Sequence, residues 1–363
     1  MEGRKAMTES KLRNTQTADI RHDPRYENAR EIVEARFRHA GTHDEVTALL
    51  FRYGLERTVA EIAGGKVPQD VQAVPQDLGF VDFTPLDPLA LLREEIKLPS
   101  LPAVVAELRD VLSDDNASAA AVAKVISRDA GLSAFLLRMV NSAFYSFPSR
   151  IETISRAVAL VGRQQLSTLA LGVMVIGSMR DLPVAHMDLT LFWQHSIACA
   201  VVAGKLAEAM GEEEPERFFV AGLLHDIGRL VVFSSLPERS AAILAMCSDY
   251  GVPSQDAELR VLGFDHGTLG GMLLRKWNFP MSLVFSTLHH HVPERNTRNL
   301  EPCVVHLADI VVKGLGIGVS GMHLLPQFKV DAWERLGLSI EQLEEIVVNL
   351  DELLRETSDL LLS

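Results

Sequence analysis

Cysteine is scarce in this 363-residue chain: Cys199, Cys247 and Cys303 stand far apart, odd in number and without a CxxC pair. That pattern offers neither a disulfide framework nor a thiolate zinc site, and it suits a reducing cytoplasm, the expected location. A basic excess is missing as well. Lys and Arg number 35 against 48 Asp and Glu, a formal charge of -13, which repels a polyanion and argues against sequence-independent nucleic-acid binding. The first 24 residues are polar and charged, so neither a secretory signal nor a membrane anchor is expected there. The longest uncharged apolar run, Leu166 to Met179, is short beside the roughly 20 residues of a membrane span and reads as a buried helix. Aromatics are few, at 6%, and Ala, Leu and Val are plentiful, which favours helices.

What is present has the balance of a globular protein, with 47% hydrophobic and 23% charged residues. The length allows one large domain with an appendage or two modest domains. Within residues 25–64, Val46, Leu49, Leu50, Tyr53, Val59 and Ile62 recur at helical steps before Gly64-Gly65. Residues 1–65 are therefore expected to form a small N-terminal helical extension, separate from the main domain. Pro68, Pro75, Pro85 and Pro88, with Val-Pro-Gln-Asp repeated at Val67 and Val74, mark residues 66–92 as a linker. From Leu98 amphipathic segments follow one another, punctuated by Gly, Pro, Asn and Asp, with no sustained strand-type alternation. An all-α fold is expected. Asn116 and Ser118 are placed to cap a helix towards Arg128, Gly131 lets the chain turn, and Leu132–Asn141 supplies the next apolar face. A further helical unit spans Ile151–Met179 around Gly162, and Ile340, Leu343, Ile346, Val347 and Leu350 share one face of a final helix.

Seven of the 12 histidines fall between residues 195 and 306: His195, His225, His266, His289, His290, His291 and His306. Around them lie His225-Asp226 in AGLLHDIGRL, His266 in GFDHGTLGGMLLRKWNFP, HHHVPE from His289, and Asp309 in VVHLADIVV. Imidazole and carboxylate without thiolate form a ligand set for divalent iron, manganese, cobalt, nickel or zinc. An isolated His-Asp pair is ordinarily a helix-end ion pair or a packed histidine. Spaced companions change that reading. Adjacent helical residues point about 100° apart, so His225 and Asp226 are expected on the inward side of a helix facing a cavity.

The series His195, His225-Asp226, His266, His290-His291 and Asp309 resembles the ligands of the HD-GYP phosphodiesterases, within the HD phosphohydrolase superfamily. The surrounding segments LPSLPAVVAEL, SRDAGLSAFLLRMVNSAFYSFPSRIETISRAVALVG, FWQHSIACA, AGLLHDIGRL and FDHGTLGGMLLRKWNFP are closer to the HDOD output domains. This resemblance implies a multi-helix HD-type domain over residues 93–315, with residues 316–363 a C-terminal helical segment packed on it. It implies one ion held by His195, His225, Asp226 and Asp309, and a second held by His266, His290 and His291, with Asp226 bridging. It also implies a signalling output module with protein partners, and alternatively a metal-dependent phosphohydrolase in which Asp226 and Arg229 serve catalysis on a phosphate-containing ligand. After His291 the chain runs Val292-Pro293-Glu294-Arg295, without the Gly-Tyr-Pro segment of cyclic di-GMP hydrolases, and Arg229 stands where those enzymes commonly carry lysine.

The remaining conspicuous residues have plainer readings. His289 is expected beside the ligand pair, and His306, one helical turn before Asp309, is expected to support the ligands or simply to pack. His22, His39, His43, His186 and His323 lack such company. KGLGIGVSG from Lys313 has the wrong glycine intervals and no preceding strand for a nucleotide loop. Asn141-Ser142 is expected to pack between the two halves of the domain.

Overall fold

The structure, a computed structural model, describes residues 25–68, 83–95, 103–114, 117–142, 145, 147–296, 298–321 and 323–362. Asn116, Val74 and the first 24 residues lie outside these. No strand occurs among the described residues. In chain order the helices are α1 (Tyr26–Arg36), α2 (Glu45–Ala63), α3 (Ala103–Ser113), α4 (Ala119–Ile126), α5 (Ala130–Val140), α6 (Ile154–Val161) and α7 (Arg163–Met179). Then come α8 (Leu189–Met210), α9 (Pro215–Leu224), α10 (Ile227–Ser235), α11 (Pro237–Tyr250), α12 (Ser254–Leu262) and α13 (His266–Lys276). The last four are α14 (Met281–His289), α15 (Glu301–Gly314), α16 (Val330–Leu336) and α17 (Ile340–Leu362).

Side-chain caps fix several starts, because the first turn of a helix leaves backbone N–H groups without partners. Asp44, Ser118, Asp129, Thr153, Asp188 and Asp265 each accept such a bond at the head of α2, α4, α5, α6, α8 and α13. The expected unit Ile151–Met179 is two helices, α6 and α7, bent by 118° at Gly162. α8 is the spine, packed on α9, α15 and α17. By length and composition α8 and the stretch Pro215–Ser235 are apolar enough to cross a membrane, but 72% and 89% of those windows are buried inside the fold. Their apolar faces are spent on the protein's own core.

Two expectations about organisation need correcting. The N-terminal hairpin is not a separate element: Val33, Phe37, Val46 and Leu50 belong to the same buried core as α8 and α15. Arg36 is itself buried, its Nη1 donating to Gly314 O at 2.9 Å while its own carbonyl accepts from Leu325 N. His39 donates to Gly251 O at 2.6 Å. The end of the linker is likewise tied down, with Leu86 N bonded to Leu262 O and helical structure beginning at Pro88, so Leu91 and Leu92 are buried before the boundary set at Arg93. Composition marks the prolines but cannot show what they lie against.

Asn141 is the third correction. Its amide exchanges hydrogen bonds with Ile151, Oδ1 accepting from Ile151 N at 2.7 Å and Nδ2 donating to Ile151 O at 2.8 Å. It clasps the ends of a single loop and does not join the two halves of the domain.

Candidate metal centre

His195 lies on α8, and Asp309 lies on α15 beside it. His225 and Asp226 form the joint between α9 and α10, where Asp226 leaves helical geometry at φ -96 and ψ 9. The sequence suggested one continuous helix. The departure is local to Asp226, since His225 keeps helical angles and Pro215–Ser235 still runs as one helical stretch. His266 opens α13, and His290 and His291 follow the end of α14. Two glycines permit the assembly. A Cβ at Gly228 would overlap the His266 carbonyl, so only glycine lets α10 lie this close to α13. Gly318, at φ +62, lets the loop after α15 rest on the backbone of His195.

All seven ligands expected from the sequence meet here, in two adjoining groups. In the first, Asp309 Oδ1 is 3.2 Å from His195 Nε2 and 3.7 Å from His225 Nε2. In the second, His266 Nε2 is 2.9 Å from His291 Nε2, 3.3 Å from His290 Nε2 and 2.9 Å from Asp226 Oδ1. The other oxygen of Asp226 faces the first group, 3.4 Å from His225 Nε2 and 3.7 Å from His195 Nε2. Donors bound at about 2.1 Å and tetrahedral angles stand about 3.4 Å apart. The observed spacings, 2.9 to 3.7 Å, bracket that value and are compatible with metal binding.

Partner atoms aim the imidazoles. His225 Nδ1 and His290 Nδ1 each donate to a backbone carbonyl, of Gly222 and Thr287, at 2.7 Å, and His266 Nδ1 is 2.6 Å from Glu258 Oε2. Carbonyls only accept, so Nδ1 carries a proton and Nε2 is the atom presented to the centre. His225 Nε2, Asp226 Oδ2 and Asp309 Oδ1 are buried and face one another and His195 at 3.2–3.7 Å without a well-formed hydrogen bond. Under-satisfied polar atoms of this kind are costly in a core, and a bound cation removes the cost. The donor set thus fits divalent transition metals.

The charges agree with that use. Burial pushes the Asp226 carboxyl up, but the charges of His225, Arg229 and His266 outweigh it and hold the group well below the usual carboxylate range. Asp309 is held well below by Lys313, His195 and His225 against the same effect of burial. Burial, together with the neighbouring imidazoles, keeps His290 and His291 well below the ordinary histidine value. Two groups run the other way: His225 loses to burial but gains more from Asp226 and Asp309 and rises to about 9, and His266 is raised against burial by Glu258 and Asp226, so metal binding there must displace protons. The carboxylates are ionised and His290 and His291 neutral, which are the ligating forms.

The profile of the HDOD domain matches residues 98–293, more than half of the chain. The chain belongs to the HDOD family. Known HDOD-type structures agree in fold. An HDOD domain protein of unknown function from Geobacter sulfurreducens is 21% identical, covering 75% of this chain and 96% of that one at a TM-score of 0.60. A Shewanella amazonensis protein named as a candidate phosphohydrolase is 27% identical, covering 75% and 98% at a TM-score of 0.58. An uncharacterised Treponema pallidum protein is 24% identical over 255 residues, 68% of this chain, and the chain spans about half of that relative's length, 49%. The HDOD profile ends before α15, so the carboxylate of Asp309 comes from beyond the matched region.

One residue beside this HDOD centre stands differently from expectation, while His289 and His306 stand as expected. Arg229, expected to face phosphate, is fully buried: Nε is 3.2 Å from Asp226 Oδ1, Nη1 is 3.2 Å from Glu258 Oε1, and Nη2 donates to Ser254 Oγ. It steadies two carboxylates instead of facing a ligand. His289 stays outside the groups, stacked on Phe285. His306 packs, with Nδ1 donating to His290 O and Nε2 accepting from Lys329 N. Sequence reasoning missed Glu258, Lys313 and Cys199. Lys313 Nζ donates to Asp309 Oδ2 at 2.8 Å, and Cys199 joins His195, His225 and Asp309. Lys313 and Cys199 each follow a ligand by four residues, a helical spacing that was legible. Glu258 carried no such signal.

Proposed function

We propose that the chain is a cytoplasmic bacterial output module of signal transduction, relaying a state to protein partners, whose His/Asp centre holds one or two divalent transition-metal ions. The ions stabilise or sense that state. The observation that carries the metal centre is Asp226, a fully buried carboxylate with one oxygen towards each ligand group. Burial supports relay over turnover. None of the seven ligands is more than 7% exposed, and Arg229 beside them is engaged by protein groups. A cleft of about 760 Å³ lies on the N-terminal hairpin, lined by Tyr26, Arg30, Glu34 and Phe51 among others, none of them a ligand.

When bound, such ions supply Lewis acidity and acidify water. The chain's own part is to aim the donors, keep His290 and His291 neutral, and exclude solvent. A second reading, a phosphohydrolase acting on a nucleotide, cyclic dinucleotide or other phosphoester, draws on the same bridge, because paired ions are a common hydrolytic arrangement. The test is a phosphoesterase screen, cyclic di-GMP included, on metal-loaded protein with Asp226→Asn as control. Relay predicts no metal-dependent turnover. Turnover abolished by Asp226→Asn in a folded protein would establish the hydrolase.

A further inference from the structure

Cys199 lies one helical turn beyond His195 on α8, so the two side chains share a helix face. Its Sγ is 3.5 Å from His195 Nε2, and its group with His225 and Asp309 has every donor atom within 4.8 Å of the others. A buried cysteine is in general a small apolar side chain with a weak S–H donor. Two observations separate this one from that case. His225 Nε2 and Asp309 Oδ1 in the same group are buried without a well-formed hydrogen bond, so the sulfur sits against under-satisfied polar atoms and not against apolar ones.

We infer that Cys199 is a thiolate ligand of the first ion, joining His195, His225 and Asp309 there beside the bridging Asp226. This rests on the proposed metal centre and adds to it a donor of different character. A metal–sulfur bond of about 2.3 Å and a metal–nitrogen bond of about 2.1 Å at the tetrahedral angle place sulfur and nitrogen about 3.6 Å apart, close to the 3.5 Å observed. Binding breaks the Sγ–H bond and forms the metal–sulfur bond, and the proton leaves to solvent. The two positions then differ in chemistry. A thiolate favours zinc, cobalt or ferrous iron in the first group, whereas the second, with Asp226, His266, His290 and His291, offers imidazole and carboxylate alone.

The test is to strip the full-length protein of metal, reload it with Co²⁺, and record cobalt content together with the near-ultraviolet spectrum. Thiolate bound to cobalt gives a charge-transfer band that nitrogen and oxygen ligands do not. The expected result is a band in the unmodified protein that is lost in Cys199→Ser and kept in Cys247→Ser and Cys303→Ser. Cobalt bound without the band overturns the thiolate ligand and leaves the metal centre standing. A band that survives Cys199→Ser in folded protein overturns it too, and failure to bind any cobalt removes both readings. Should Cys199→Ser not fold, zinc X-ray absorption on the unmodified protein decides: sulfur at about 2.3 Å supports the ligand, and a shell of nitrogen and oxygen alone refutes it.

Discussion

Replacing Glu258 by glutamine removes one charge from behind the second ligand group while nearly keeping side-chain volume. Glu258 Oε2 accepts from His266 N at 2.8 Å and faces His266 Nδ1 at 2.6 Å, while Oε1 lies 3.2 Å from Arg229 Nη1. Three donors therefore converge on this buried carboxylate. A glutamine has one acceptor oxygen, so its NH₂ must confront at least one of those donors. Leaving a buried donor unsatisfied costs about 1–3 kcal/mol, and uncoupling one partner of a buried ion pair costs about 3–5 kcal/mol. Arg229 keeps Asp226, so the lower end applies, and about 3 kcal/mol of metal-free stability should be lost. Metal binding should suffer separately. Loss of the group that orients a ligating imidazole weakens affinity by about 10–100-fold. Urea unfolding of the metal-free protein reads the first effect, and chelator competition for zinc reads the second. Glu258→Gln with unchanged stability and affinity would refute the claim that this carboxylate orients His266.

Gly228→Ala should cost about 3 kcal/mol, because the added Cβ meets the His266 backbone, which cannot move without the ligand; thermal unfolding and metal content should fall together. A chain truncated to begin at Arg93 should lose cooperative urea unfolding. It forfeits Val33, Phe37, Val46, Leu50, Leu91 and Leu92 from the core, on the order of 10 kcal/mol at roughly 2 kcal/mol per buried side chain; normal cooperativity would restore the separate-extension reading. His306 is pushed down to about 4 by burial. An unfolded histidine titrates near 6.5, so the neutral folded form contributes stability above that pH, and the contribution is lost as pH falls from about 6.5 towards 4. Stability should drop by about 2 kcal/mol between pH 7.5 and 5 through this group, and His306→Gln should show a correspondingly smaller drop; an identical pH dependence in the variant would refute it.

The ligands were legible because histidine and aspartate inside apolar helical runs demand a reason, and His225, Asp226 and Asp309 each interrupt such a run. Helix positions were legible from periodicity and caps, as Ser118 illustrates. The break between α9 and α10 was not. Apolar residues resume directly after His225-Asp226, at Ile227 and from Leu230 to Val232, with no proline between to mark a stop. Glu258 looks like any surface charge on an amphipathic helix until α13 is laid against it. The hairpin's place was hidden for the same reason: the bond from Arg36 to Gly314 spans most of the chain, and only the fold brings its ends together. Arg229 was misplaced because a motif gives a residue's position but not which way its side chain points.

The most direct test of the account is metal analysis of full-length protein produced with ample iron, manganese and zinc, beside Asp226→Asn prepared identically. One to two transition-metal ions per chain are expected in the unmodified protein and fewer in folded Asp226→Asn, since the amide is a poor bridge between the two groups. Unmodified protein that is folded and carries no metal after this preparation would contradict it.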